Sequence, residues 1–476
     1  MKAGIFGPSS EFYSRNWNAE RSINLYPVIS DSQGAKEPMA LFGTPGLEYL
    51  GTAGGGPIRG AITCGNGRSF CLSGSELYEI NSDNTVTLRG TVSTFSNPVS
   101  MDENGTQLML ATSPDGYIFN FDTNAFTQIT DVDFPGADYV TYLDGYFIVT
   151  PPNNLGKFYI SALFDGLVWD ALDFATAESS PDGLQCPYSY NGQLLLFGDY
   201  TTEIWYNSGN VDFPFSRISG GRMELGTPSK FSVQRIDDSV FFIGRDKQGT
   251  GTVFRINGAQ PKRISTQFVE QMVSMAADTI GSLSQIVGFG YQKNGHLFYI
   301  LNGSGMDTAV AYDCATTLWH ERASLNQETG FLQRWIATFH IYAFNKNIVF
   351  DRESGNFYNM DDYWYDENGY NIKRVRVFTH IYSEGQRFPI SDLGVDFEGG
   401  VGLVGGDSPI VCLRMSRDFG HTWSSEYQAT IGKIGEYKQR AMWRRLGVQQ
   451  EMTFEVSTSE KVKIAITGGY FNVGKR

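Results

Sequence analysis

This sequence predicts an all-β chain: a β-propeller of about seven blades, preceded by an extended N-terminal arm and followed by a β-sandwich-like domain. Three observations carry the prediction. Glycine is abundant (54 residues), and aromatic residues make up 14% of the chain. With many Val, Ile, Thr and Tyr, that composition favours strands joined by tight turns. A turn–strand–turn–strand pattern recurs seven times, and after about residue 370 it gives way to closely spaced alternating strands.

The repeats begin at GRSFCLSGSELYEI (67–80), NGTQLMLATSPDGYIFNF (104–121), DGYFIVTPPNNLGKFYIS (144–161), NGQLLLFGDYTTEIWY (191–206), DDSVFFIGRDKQGTGTVFRI (237–256), NGHLFYILNGSGMDTAVAYD (294–313) and NKNIVFDRESGNFYNM (345–360). Their starts lie 37 to 57 residues apart, which suits propeller blades of about 40–50 residues. One such sheet cannot bury both faces alone; radial packing buries them and leaves short edges.

Residues 1–55, with INLYPV and FGTPGLEYL, read as the arm leading into the first blade; 56–369 form the propeller and 370–476 the C-terminal β-domain. RISTQFVEQMVSMAADTIGSL (263–283) reads as a helix, capped by Ser265 or Thr266, with Glu270 in its first turn and Phe268, Val269, Met272 and Val273 on one face. In the C-terminal part IKRVRVFTHIY, ISDLGVDFEG, PIVCLRMS, KQRAMWRRLG, MTFEVSTS and VKIAITGGYF are six strand candidates.

With 476 residues the chain can bury a large core without metals or disulfides. Its net charge of −14 argues against a phosphate-gripping groove; the basic residues form only short groups such as Arg440–Arg444–Arg445. Five cysteines, without a Cys-x-x-Cys pair, suggest reduced thiols and no zinc site. No signal-peptide core or membrane-length apolar run is expected.

SRDFGHTW (416–423) fits the Asp-box of sugar-handling propellers. Every defining position has a turn-building role. Ser416 and Asp418 bond the local backbone, Gly420 supplies a positive φ, and Trp423 anchors the return strand by burying its ring. The box occurs once and outside the repeats, so the expected role is structural. A glycosidase needs paired carboxylates; Asp144, Asp182, Asp199, Glu203, Asp361 and Asp362 are scattered, and MDDYWYDENGY (360–370) reads as an exposed loop joining propeller to C-terminal domain. Gly400–Gly402–Gly405 matches a dinucleotide loop, but strand residues follow it where a helix should open. His296, His320, His340, His380 and His421 lack metal-ligand spacing. No catalytic, cofactor-binding or metal-binding residue is expected. The alternative reading is a sialidase-like hydrolase or glycan-binding propeller.

Several stretches together resemble the tail hub, or packaged-DNA stabilisation, proteins of short-tailed bacteriophages. RSINLYPV (21–28) with GTPGLEYL (43–50) looks like that family's opening; LLLFGDYTTEIWYNSG (194–209), VFRINGAQPKRISTQFVEQM (253–272) and TAVAYDCATTLWHERAS (308–324) are similar to its mid-chain passages. The Asp-box, GKIGEYKQRAMWRRLG (432–447) and VKIAITGGYF (462–471) resemble its ending. The resemblance implies a non-enzymatic virion protein, made in the host bacterial cytoplasm and assembled in the tail as a homo-oligomeric ring, hexameric as the first expectation. The ring would extend the DNA channel below the portal and the adaptor, or head-to-tail connector, and help retain the genome. It would dock a tail needle or plug and the tail fibres or tailspikes. DNA would pass without sequence-specific binding, and no cofactor or membrane insertion is implied.

Overall fold

The computed structural model describes residues 4–31, 37–93, 97–153, 156–177, 182–258, 260–383, 385–403 and 406–473. Seven four-stranded antiparallel blades form the propeller; five are separate sheets, and those of blades 6 and 7 are parts of larger sheets. Blades 1 to 6 are contiguous in sequence, spanning 58–91, 100–128, 139–176, 184–223, 234–263 and 286–325. Blade 7 takes Ala337–Ala343, Lys346–Asp351 and Asn356–Asp361 from the end of the propeller, and its outer strand, Gly46–Thr52, from near the start of the chain.

Each of the seven repeats is the central hairpin of a blade. The turns before them require positive φ, as at Asp144–Gly145 (49° and 98°), Asn191–Gly192 (49° and 72°) and Asn294–Gly295 (51° and 80°). These pairs match the two-residue turns whose twist suits a hairpin. The strands that follow are apolar on both faces because a neighbouring blade covers each: Ser69–Ser73, Gln107–Ala111 and Ala309–Asp313 are buried throughout. A separate apolar cluster fills each interblade space. Phe70, Leu108 and Phe119 join blades 1 and 2, and Ile341, Phe350 and Ile58 close the circle between blades 7 and 1.

Helix α1 (Gln267–Ile280) is inserted between blades 5 and 6, which accounts for the longest interval between repeats. Phe268, Val269, Val273 and Ala276 face the core, packed with Val253 and Trp319, while Met272 is only half-buried. The capping differs from expectation. Thr266 occupies the N-cap position without a side-chain bond, and Ser265 Oγ donates to Glu270 Oε1 at 2.6 Å. Arg263 already grips that carboxylate through two 2.7 Å bonds, so Glu270 ties the helix start back to blade 5.

The C-terminal part forms two packed sheets around Leu393, Val395, Leu413, Phe454 and Trp443. All six strand candidates occur, with a further short strand, Tyr427–Thr430. The described part of residues 1–55, expected as an arm leading into the first blade, contributes strands to both domains. Leu25–Ile29 and Met39–Gly43 form an edge hairpin of one sandwich sheet, and Met39–Gly43 pairs with Ala465–Val473. Arg21–Ile23 lies between Trp319–Leu325 of blade 6 and Arg374–Val377 of the other sandwich sheet, making the two continuous. Partners some 300 residues away supply this order, and no local pattern reports them. Residues 360–370 also differ from a plain connecting loop: Asp366–Glu367 and Tyr370–Asn371 make a small hairpin on the edge of Gly46–Thr52.

Candidate functional site

The residues singled out in the sequence do not converge on one cleft. Asp182 Oδ2 accepts bonds from the amides of Tyr200 and Thr201, both 2.9 Å, and Asp199 accepts from Gln185 Nε2 at 2.6 Å, so both organise a blade 4 turn. Glu203 is buried and accepts from Trp205 Nε1 at 2.8 Å. Asp361 caps the amide of Tyr363, and Asp362 accepts from Asn294. Asp144 supplies the positive φ of a hairpin turn. Gly405 lies outside the described residues, so the glycine-rich match has no described loop. Among the described residues no group of three or more His, Cys, Asp or Glu side chains could hold a metal ion.

The Asp-box forms a closed hydrogen-bonded turn. Ser416 Oγ donates to Asp418 Oδ1 at 2.8 Å and accepts from the amide of Gly420 at 2.7 Å. Asp418 accepts from the amide and hydroxyl of Thr422 at 2.8 and 2.7 Å. These bonds pull its carboxyl down to about 2, the Thr422 hydroxyl contributing most. Gly420 sits at φ 89° with its Cα facing Ala19. Trp423 is half-buried and precedes the return strand by four residues, so it is not the first residue of that strand. Its ring packs against the Ile23–Ala323–Val375–Val377 cluster, with the Arg414 guanidinium 5.5 Å from its centroid. Trp423→Ala should therefore cost about 1–3 kcal/mol, below the ~3–5 of a fully buried ring. Denaturant unfolding of the full chain measures it; an unchanged midpoint contradicts the packing.

What the box abuts is the junction between propeller and sandwich. His421 Nε2 lies 3.2 Å from Asn16 Oδ1, and His380 Nε2 lies 2.7 Å from the carbonyl of Arg15. Behind this contact stands a buried ionic network. Glu321 of blade 6 is fully buried; its carboxylate accepts from Arg21 Nε and Nη2 (3.1 and 2.5 Å), Ser9 Oγ (2.9 Å) and Thr308 Oγ1 (2.9 Å). Arg376 of the sandwich, also fully buried, donates to Glu20 Oε2 at 2.6 Å and to the carbonyls of Ile5, Pro8 and Arg21. Each ion thus has a full set of partners, the condition under which a buried pair is tolerated. Ser9, Glu20 and Arg21 all lie in the N-terminal segment, which works as a bolt between the two domains.

One buried histidine, His320, and one half-buried histidine, His340, set an acid limit. Neither ring nitrogen of His320 has a bonding partner among the described residues, and the ring is pushed down to about 3, first by burial and then by the neighbouring Arg322. His340 is pushed down to about 4 by burial. The unfolded value is about 6.5, so the unfolded chain takes up more protons between there and the folded values. Stability from these groups is therefore present above pH ~6.5 and lost as pH falls toward 3–4. Half-buried Asp102, pushed up to about 6 chiefly by desolvation, opposes part of this loss. His320→Phe should flatten the decline of melting temperature between pH ~6.5 and ~4; an unchanged slope contradicts the assignment.

Residues 5–364 match the family model described as bacteriophage P22 Gp10, β-propeller, and residues 373–474 match that described as bacteriophage P22 Gp10, β-sandwich. No curated protein matches. Among solved structures, the chain is similar to the N-terminal domain of Nup159, at 10% identity and TM-score 0.40, over 72% of this chain and 98% of that one. It is also similar to the extracellular domain of BT4673 from B. thetaiotaomicron, at 10% identity and TM-score 0.43. That match covers 77% of this chain but spans only 45% of the other protein's length.

Proposed function

Because the chain belongs to the bacteriophage P22 Gp10 family of virion-stabilisation and tail proteins, we propose that it is a tail hub, or nozzle, subunit. In this reading copies assemble as a closed homo-oligomeric ring, taken as a hexamer, below the portal and adaptor. The ring extends the DNA channel, retains the packaged genome, and docks the needle or plug and the fibres or tailspikes. The observation that carries the reading is the pair of family matches, propeller and sandwich in one chain.

Three physical features support it. Ring subunits meet through heterologous faces, which need rigid bodies to close without strain; the strand closure of blade 7 and the bolted junction supply that rigidity. Such faces also need exposed anchors. Tyr13 (72% exposed) and Trp17 (71%) stand on the N-terminal loop, and Tyr363 (86%) on the blade 7 edge. Finally, a net charge of −14 lets DNA slide past without adhering, so retention is mechanical closure. The Asp-box serves this architecture as a turn pressed on the junction.

Particles assembled without this chain test the reading. They should package DNA and then lose it, with retention restored by supplying the protein in trans. Stable retention of the genome in its absence would refute the proposal.

A further inference from the structure

We infer that the axial face of the propeller carries a small oxyanion site, built for inorganic phosphate or a phosphate monoester. The site is a cavity of about 160 Å³ where the first strands of blades 1, 6 and 7 begin. Gln285 Nε2, just before blade 6, reaches Asn97 Oδ1, just before blade 2, at 3.3 Å, so the blades on either side meet at its rim.

Three guanidinium groups line this one cavity, although the chain as a whole is strongly acidic. Arg59, only 3% exposed, is held by the carbonyls of Asn97 and Gly74 at 2.7 and 2.8 Å. Arg334 Nη1 donates to Ser304 Oγ at 3.1 Å, and Arg352 Nη2 pairs with Glu353 at 2.8 Å. The Nε atoms of Arg334 and Arg352 are buried without a hydrogen-bond partner among the described residues. Glu353 is itself 70% exposed and turned to solvent, so it balances little of the inward charge. Burial draws the guanidinium values of Arg59 and Arg334 down to about 10, and for Arg334 the nearby Arg352 adds to the shift. Buried donors left unmade are costly, and an oxyanion satisfies them with charge-assisted bonds.

Asn302 narrows the class. It is 2% exposed and lines the same cavity. Its Nδ2 donates to the carbonyls of Trp335 (3.0 Å) and Ala337 (2.6 Å), which fixes the amide, and its Oδ1 is buried without a donor among the described residues. A ligand that fits therefore brings acidic oxygens for the arginines and one O–H for Asn302. Hydrogen phosphate has both at neutral pH, and a phosphate monoester has both as its monoanion, the form below its second pKa of about 6. Sulfate and a phosphodiester, including a nucleic-acid backbone, carry no O–H at neutral pH.

Isothermal titration of the full chain at constant ionic strength tests the site, with inorganic phosphate, glycerol phosphate, dimethyl phosphate and sulfate as probes. Phosphate should bind, and sulfate and dimethyl phosphate at least tenfold more weakly. Arg334→Gln with Arg352→Gln, both partly exposed, should weaken phosphate at least tenfold without lowering the phosphate-free melting temperature. Tighter binding of glycerol phosphate than of free phosphate would identify the monoester as the source, and the reverse order would identify the free anion. No phosphate heat beyond that of chloride, an unaltered affinity in the double variant, or equal binding of sulfate each overturns the assignment. Loss of genome retention is not part of this readout, so the site and the tail-hub reading fail separately.

Discussion

A chain lacking residues 1–52 should not yield a smaller folded propeller; it should be insoluble or collapse to a state without cooperative unfolding. The expectation follows from strand accounting. Gly46–Thr52 closes blade 7 through six registered pairs, from Asn356↔Thr52 to Asp361↔Gly46. Without it the backbone of Asn356–Asp361 becomes an open edge, a template for wrong pairing, and the Leu47 contact with Tyr358 and Met360 is lost. The same deletion removes Arg21–Ile23 from between blade 6 and the sandwich, and an edge hairpin from the other sheet. It strands Glu321 and Arg376 as buried, unpaired charges. Deleting only residues up to Gly4 should be far milder, because it spares every strand of that segment and the buried Ile5. Expression and calorimetry of both truncations check this. A cooperative transition in the 1–52 deletion near that of the full chain contradicts the closure.

Glu321→Ala is the point change with the largest expected loss, about 2–3 kcal/mol, below the full cost of a buried unpaired charge because Arg21 is 31% exposed and stays partly hydrated. Arg21 would lose both its 3.1 and 2.5 Å bonds, with Glu11 at 3.6 Å as its remaining carboxylate. Ser9 and Thr308 would each lose a bond as well. Pairing Glu321→Leu with Arg21→Met, close in volume and free of charge, should recover most of the loss, since apolar replacement of both partners removes the desolvation penalty. Urea unfolding of the single and double variants separates the two effects. A double variant as unstable as Glu321→Ala alone would show that Arg21 is not the charge being compensated.

Much of the fold is legible because the central hairpin of each blade is local: a positive-φ turn, an apolar run, a second turn, a second strand. DGYFIVT and NGHLFYIL show the pattern plainly. What escapes local reading is long-range. Gly46–Thr52 looks like any short strand, and its partner lies about 310 residues on. Arg21 and Glu321 stand 300 residues apart, and Arg59, Arg334 and Arg352 share one cavity despite their spacing, so a search for adjacent basic residues finds none of them. The unbonded acceptor of Asn302 is likewise a property of its neighbours; the sequence shows only a polar residue before a glycine. The helix is visible from its apolar face, but the anchoring of Glu270 by Arg263 and Ser265 depends on how blade 5 ends.

The Asp-box shows the same division. Its internal bonds, Ser416 to Gly420 and Asp418 to Thr422, are local enough to anticipate from residue type. Its contact with Asn16 and Ala19, and the partial exposure of Trp423, depend on the N-terminal segment running past it. A motif shared with sugar-handling propellers is here a turn held against a domain junction.

The most direct test of the proposed function is electron cryo-microscopy of the phage particle, with this chain fitted into the tail density. The account predicts a closed ring of copies around the DNA channel beneath the adaptor, each a seven-bladed propeller rigidly joined to its sandwich. A particle whose channel is lined by other proteins, with this chain absent or attached singly at the periphery, would contradict it.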